Sequence, residues 1–495
     1  MCQLRESTVV GLAEPLCEDT IPLSTLDQHA IRLYSKVLAG FETKETVDIG
    51  QAIEHLKEGL ARALCEVPDF AANVKAVPGS KTNRLELDIG PESGVLFQAV
   101  DHRSSAEEGS ESCPDLLRNQ TYQDLEKANF PLTTIPSRFY CVPNAKPEDE
   151  HPDEGLPALL VRANIINGGL LLGITWHHTV ADGRGIGNFS RVWARETNLA
   201  SNHVYADIPE PPTDGSRDRW RLNLKSDGAT IADFPDYEAD PFDRRPNPTR
   251  PHLLDCKIPV PPNTKTSMWH FSSAAIRSLV SLVNSGGAAA GSTNQQFTQS
   301  EAISALLWKH VSLARQLHVS QPPDASSLFS TRMDFRRRVN PPLAPEFIGN
   351  ANQPVPRTRA SIRDLCTPST AESLAAVAQM IKKAVAENDE KKLRRLAGLV
   401  DTLPSVTDLV LMLDTNPGPD FAITDVSGLD AMDLDWGRDL GCISCIRALT
   451  RYRGFTSILP RDQRDGHPVV LLCDADAVTR LRADTMFTQF AEFLY

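Results

Sequence analysis

The chain has 495 residues, 41% of them hydrophobic and 23% charged, with a formal net charge of -13 at pH 7. That is material for two domains or one large one, each with a sizeable core. The acidic balance argues against a general nucleic-acid binder, which needs surplus Lys and Arg to displace counterions, though it leaves room for a local basic pocket. The apolar runs fall far short of the roughly 20 residues that span a bilayer, so no membrane partner is expected. Met1 to Ser7 shows no basic stretch followed by an apolar core, so no signal peptide is expected either. Ten cysteines are scattered along the chain, which does not make a disulfide scaffold and points to a reducing, cytoplasmic location. Cys442 and Cys445 have redox or zinc spacing, but no second pair lies at ligand distance, and they read as two half-buried strand cysteines.

In chain order, the apolar periodicity predicts helices over residues 30–41 and 48–66, the second through Ile53, Leu56, Leu60 and Leu64. Strands are expected at 84–88 and 95–100. Residues 102–117 and 144–156 are polar and acidic and read as surface loops. Strands at 158–164 and 169–176 follow, then a helix over about 186–196. From 207 to about 251 the composition shifts to a charged, poorly periodic stretch punctuated by eight prolines, Pro209 to Pro251. This segment reads as a crossover between two halves. The expected division is an N-terminal domain over 1–206, the crossover over 207–255 and a C-terminal domain over 256–495.

The second half opens with a strand at 267–272 and a helix at 274–284, followed by a flexible loop at 285–292. A helix over 298–314 is entered through a cap at Thr298 or Ser300, with Glu301 three residues after Thr298. A single long helical pattern covers 371–402. Strands return at 409–412, 421–424 and 469–472, and a last helix covers 475–494. Strands and helices alternate in both halves, so the fold class is α/β.

The segment most suggestive of chemistry is Trp176-His177-His178-Thr179-Val180-Ala181-Asp182-Gly183. An apolar strand that ends at a histidine presents one imidazole at a sheet edge, a place for a general base. Three other readings stand beside it. The residues could be polar groups at a strand end. They could bind a metal, but adjacent histidines point to opposite sides of a strand and no matching partner is visible elsewhere, so no metal is expected. Gly183, Gly185 and Gly187 could cradle a phosphate, but Asn188 breaks the G-x-G-x-x-G spacing. No G-x-S-x-G nucleophile elbow occurs. A histidine without a nucleophile beside it suits direct transfer, in which it deprotonates an acceptor that attacks an activated acyl donor such as a thioester.

His178 through Asp182-Gly183, with Phe189 and Trp193 after it, resembles the H-x-x-x-D-G region of the BAHD acyltransferases and the wider chloramphenicol acetyltransferase-like superfamily. Further matches fall in the family's order. Leu23-Ser24-Thr25-Leu26-Asp27 resembles its L-S-x-L-D. Ser304 to Trp308 resembles its helix with Ala-x-x-Trp. Asp334-Phe335-Arg336 followed by Pro341-Pro342-Leu343 and Gly349-Asn350 resembles its (N/D)-x-R…P-P-L…G-N segment. Asp433-Leu434-Asp435-Trp436-Gly437 resembles its D-F-G-W-G in either of two alignments, with Asp433 or Asp435 as the leading aspartate. The second is preferred because it keeps the separation from Thr424, the surviving residue of an upstream Thr-Ser-Trp. These departures resemble the fungal branch that includes trichothecene-type O-acetyltransferases.

The resemblance implies two chloramphenicol acetyltransferase-like domains, each a mixed sheet with helices, with the active-site channel between them. It implies an O-acyltransferase that moves an acyl group, acetyl by preference, from acyl-CoA to a hydroxyl of a small secondary metabolite of alkaloid or terpenoid class. His178 is then the base. Asp182 points away from substrate and pairs with an arginine, best matched by Arg336. Gly183 permits a sharp turn. Thr424 is either an oxyanion donor or an ordinary strand threonine. Asp435 and Gly437 are structural, fixing a loop on the CoA side. No permanently bound cofactor is expected, acyl-CoA being a co-substrate, and the resemblance suggests a monomer. The alternatives are N-acylation or condensation-type amide or ester formation, and a catalytically silent metabolite-binding protein of the same fold.

Overall fold

The computed structural model describes residues 3–103, 120–132, 135, 140–142, 155–204, 207–223, 228–239, 262–289, 296–449, 454 and 456–495. Two large sheets organise it. The first has six strands in the order Gln3–Gly11, Gly94–Asp101, Leu159–Ile166, Gly169–His177, Tyr34–Glu42 and Cys445–Ala448. The second has seven, in the order Arg357–Ser361, Ser326–Thr331, Phe421–Asp425, Thr456–Ile458, Gly466–Asp474, Thr264–Ser272 and Glu492–Phe493. Both mix parallel and antiparallel pairs. No described helix is long and apolar enough to cross a membrane.

Every residue of the Gly169–His177 strand is buried. Its side chains alternate between two environments, as a pleated strand requires. Leu170, Leu172, Ile174 and Trp176 face the first core, whereas Leu171 joins a cluster with Met268, Val470 and Leu472 of the second sheet. The helices Ile49–Glu66 and Gly183–Ser201 close the first core with Ile53, Leu56, Leu60, Phe189 and Trp193. That is the i, i+3, i+4 stripe visible in the sequence. In the second half, Ser273–Ala289, Gln299–Ala314 and Ala371–Ala386 pack against the seven-stranded sheet. The Gln299–Ala314 helix is entered through Thr298, whose side chain and that of Glu301 form the expected capping box.

Four elements differ from the sequence expectation. Residues 34–42 form a strand, and the helix lies upstream at Thr25–His29, held by a capping box between Ser24 and Asp27. This strand is sandwiched between Gly169–His177 and Cys445–Ala448. Burial on both faces gives a continuous apolar run in which helical and strand periods coincide. The pattern over 371–402 divides into Ala371–Ala386 and Glu390–Thr402, because Asp389 caps the second helix through the Lys392 N–H. Helix Ser273–Ala289 runs on through the first part of the expected 285–292 loop. The last helix stops at Ala483, where the Asp484 carboxylate accepts from the Met486 and Phe487 N–H groups and turns the chain into the Glu492–Phe493 edge strand.

Most of the expected loops at 102–117 and 144–156 lies outside the described residues; at the end of the second, Leu156 pairs with Val74 in a small sheet. Residues 207–223 and 228–239 are largely irregular and end in a strand, Tyr237–Ala239, that pairs with Leu409–Leu411; residues 224–227 and 240–261 lie outside the described set. The chain crosses back after this segment. Cys445–Ala448 completes the N-terminal sheet against Val37–Gly40, and Ile348, Trp436, Leu440 and Ile443 belong to the first core.

Candidate active site

The strand Gly169–His177 delivers its last residue into a tight turn. The His178 N–H donates to the Leu33 carbonyl at 2.9 Å, and the Val180 N–H returns to the His177 carbonyl at 3.0 Å. Helix Gly183–Ser201 then starts with Asp182 as its N-cap, accepting from the Gly185 N–H at 2.9 Å. Gly185 has a steric reason to be glycine: a Cβ there would stand 1.9 Å from the Ile348 carbonyl oxygen. The two histidines part, as adjacent strand residues must. His177 is buried edge-on against Tyr34, ring centroids 5.4 Å apart. His178 is half-buried and lines a cavity. Its Nδ1 is buried.

Asp182 and Arg336 are in contact. The guanidinium meets the carboxylate with two bonds, Nη2 to Oδ1 at 2.9 Å and Nη1 to Oδ2 at 3.0 Å. The Ala351 N–H adds a bond to Oδ2 at 2.9 Å. Arg336 also donates to the carbonyls of Phe347 and Gly349. Burial alone would raise the Asp182 pKa, but the Arg336 charge and the backbone donors hold it below the usual carboxylate range. Both Asp182 oxygens are thus occupied by protein donors.

A second buried network grips the turn from behind. The Asn350 amide donates to the carbonyls of His178 at 3.0 Å and Thr179 at 3.1 Å and to Asp27 Oδ1 at 3.0 Å. Arg219 bridges Asp27 and Asp69, each at 2.9 Å, and donates to the Val180 carbonyl at 2.8 Å. The sequence reading missed Arg219 and Asp69. Arg219 lies in the proline-punctuated crossover, where Arg217-Asp218-Arg219-Trp220-Arg221 looks like a solvated charge run, yet Arg219 is 3% exposed and Trp220 is 67% exposed. No periodic signal marks that inversion.

The cavity has a volume of about 1020 Å³ and is walled by both halves, with His178 and Trp176 from one and Arg332 and Thr424 from the other. Burial lowers the His178 pKa; its own carbonyl and Asp182 raise it, Arg332 lowers it further and Asn350 raises it. The balance lies below the ordinary value, so the imidazole is neutral at physiological pH and able to take a proton. Thr424 stands on the Phe421–Asp425 strand beside Ser457, and both line the cavity. Asp435 and Gly437 do not line it, whereas Trp436 between them does. Asp435 Oδ1 accepts from the Gly437 N–H at 2.9 Å. Gly437 has φ +92°, and a Cβ there would lie 2.0 Å from Ser201 Oγ. This turn sets Trp436 edge-on against Phe41 and Trp193. Asp433 instead pairs with Arg461 at the surface. Among the described residues no group of His, Cys, Asp and Glu could hold a metal ion.

An imidazole at the end of a buried strand, inside a cavity walled by two mixed sheets and with no nucleophile elbow in the chain, defines a class of group-transfer site. A family model described as the Transferase family matches residues 1–476. The acyltransferase easC of Emericella nidulans is 40% identical over 491 residues, covering 99% of this chain and 98% of that protein. The acyltransferase cm3D of Cordyceps militaris is 41% identical over 490 residues, covering 99% of both. Among solved structures, F. graminearum TRI101 complexed with ethyl coenzyme A has the same fold, with TM-score 0.76 at 18% identity over 97% of this chain and 100% of that one. Vinorine synthase follows with TM-score 0.64 at 16% identity over 99% of both chains. The chain belongs to the BAHD-type transferase family and is an acyltransferase with that family's two-domain mixed α/β fold.

Proposed function

We propose that the protein transfers an acyl group, acetyl in the simplest case, from acyl-CoA to a hydroxyl of a small secondary metabolite, with His178 as the general base. Neutral Nε2 takes the acceptor O–H proton as the oxygen attacks the thioester carbonyl. The Thr424 hydroxyl donates to the developing oxyanion, where preorganised donors contribute most. The tetrahedral intermediate collapses with loss of the thiolate, which receives the proton back from His178. The products are an ester and free CoA, and no bond forms between acyl group and protein. Asp182 and Arg336 hold the turn that carries the base, and Asp435 and Gly437 hold Trp436 in the cavity wall. Gly183 makes no sharp turn of its own, opening the next helix where, among the described residues, a Cβ would meet only Val426 at 3.6 Å. The protein acts as a monomer and needs no resident metal or cofactor.

The observation that carries this reading is that half-buried His178 lines a cavity walled by both halves. Two similar proteins support the substrate class. TRI101 has been solved complexed with coenzyme A and T-2 mycotoxin. The eremophilane O-acetyltransferase prx11 of Penicillium rubens is 28% identical over 392 residues. The test incubates the purified protein with labelled acetyl-CoA and an extract of hydroxylated metabolites. Label should move to an ester in the wild type and not in His178→Ala. Tight metabolite binding without turnover would point instead to a silent binding protein.

A further inference from the structure

A second imidazole opens into the cavity that holds His178. His29 is the last residue of the Thr25–His29 helix; it is half-buried and lines the cavity wall. Burial pulls its pKa down to about 4, the nearby Val406 backbone opposes the shift, and the Arg332 charge adds to it. The ring is therefore neutral at physiological pH. A neutral imidazole carries one N–H donor and one lone-pair acceptor. Arg332 acts on His178 as well, so one cation lies within electrostatic reach of both rings. The wall beside His29 is polar: Arg32 donates to Asn83 Oδ1 at 3.1 Å, and Asn83 Nδ2 to Thr407 Oγ1 at 3.5 Å. The cavity wall also carries apolar side chains, among them Ile174, Trp176 and Ile446.

An acyl thioester brings a carbonyl to this place and no hydrogen-bond donor on the acyl group itself. A hydroxylated acceptor brings donors. We propose that His29 determines acceptor specificity, its unprotonated nitrogen accepting a hydrogen bond from another O–H or N–H of the acceptor while His178 takes the proton of the attacking hydroxyl. The inference rests on the acyl-transfer reading of His178. It narrows the acceptor class to molecules with at least two donor groups, diols or amino alcohols, and away from simple mono-alcohols.

The probes are acetyl-CoA and a panel of terpenoid diols, each paired with the ether in which the non-attacking hydroxyl is methylated. In the wild type, methylation should raise the acceptor KM on the order of tenfold, the value of one well-placed hydrogen bond. His29→Phe should raise the diol KM by a similar factor and abolish the difference between diol and ether. Its KM for acetyl-CoA should stay at the wild-type value. Equal KM values for diol and ether in the wild type would overturn the proposal, and so would a rise in the acetyl-CoA KM of His29→Phe in place of the acceptor KM. If His29→Phe does not fold by circular dichroism, the wild-type comparison of diol and ether decides alone. Transfer that survives in His178→Ala would refute the base reading separately, whatever His29 does.

Discussion

Asp182 is enclosed and accepts from Gly185, Ala351 and twice from Arg336. Two buried charges in such a pair stabilise little over an apolar pair of the same shape, but removing one leaves the other uncompensated. Arg336→Met should therefore cost about 3–5 kcal/mol, read by chemical denaturation. Arg336→Lys keeps the charge without the fork and should lie between. An unchanged midpoint in Arg336→Met would mean that the pair does not hold the turn. His178 carries a different prediction. Replacing it with Ala should lower kcat by about 10²–10⁴-fold if it is the base, with stability little changed. The groups acting on the ring are its own carbonyl, Asp182, Arg332 and Asn350, and burial dominates to lower the pKa from 6.5. A base works when neutral, so kcat/KM should rise with pH through a midpoint below 6.5 and then level off. A midpoint above 6.5 would contradict the electrostatics.

Helices Ile49–Glu66 and Gly183–Ser201 cross at a glycine. A Cβ on Gly59 would stand 2.5 Å from the Thr197 backbone nitrogen, a distance no side-chain movement relieves. Gly59→Ala should push the helices apart and cost about 1–3 kcal/mol by overpacking, despite alanine's better helix propensity. A more stable variant in a thermal melt would show that the crossing has slack. Both helices were legible in the sequence because one face is apolar and the other is not. The strand Tyr34–Glu42 was not, because with neighbours on both sides its run Val37-Leu38-Ala39 carries no alternation. The break after Ala386 hinges on one Asp389 cap inside a continuing apolar period. The end of the last helix rests on Asp484, which caps the turn beyond it and also meets His310. Caps of this kind depend on partners brought from elsewhere, so local patterns do not announce them.

The two sheets share their cores across the chain's midpoint. Strand Cys445–Ala448 hydrogen-bonds to Val37–Gly40, Trp436 packs on Phe41, and Arg336 holds Asp182 across 154 positions of sequence. His178, Asp182 and Arg336 could be matched from motif order alone. What the sequence could not reveal was the enclosure built around them: Arg219 on Asp27 and Asp69, Asn350 on the His178 carbonyl, and His29 on the same cavity. Each of these joins segments far apart, and each residue is ordinary in its local context. The same interlocking predicts how the molecule responds to being cut. A fragment of residues 1–250 has most of the six-stranded sheet, yet it lacks the edge strand and the Ile348, Trp436 and Ile443 side chains that fill the first core. Its Tyr34–Glu42 strand is left as an unpaired apolar edge, a template for aggregation. Expressed alone, this fragment should give no cooperative thermal transition and should elute as aggregate in size-exclusion chromatography. Co-expression with residues 251–495 should restore a soluble complex of the two fragments that melts cooperatively, because the cut falls in the crossover and spares every strand pairing described above. A soluble 1–250 fragment with a sharp transition of its own would mean that the first core is complete without the second half, and that Cys445–Ala448 only decorates its edge.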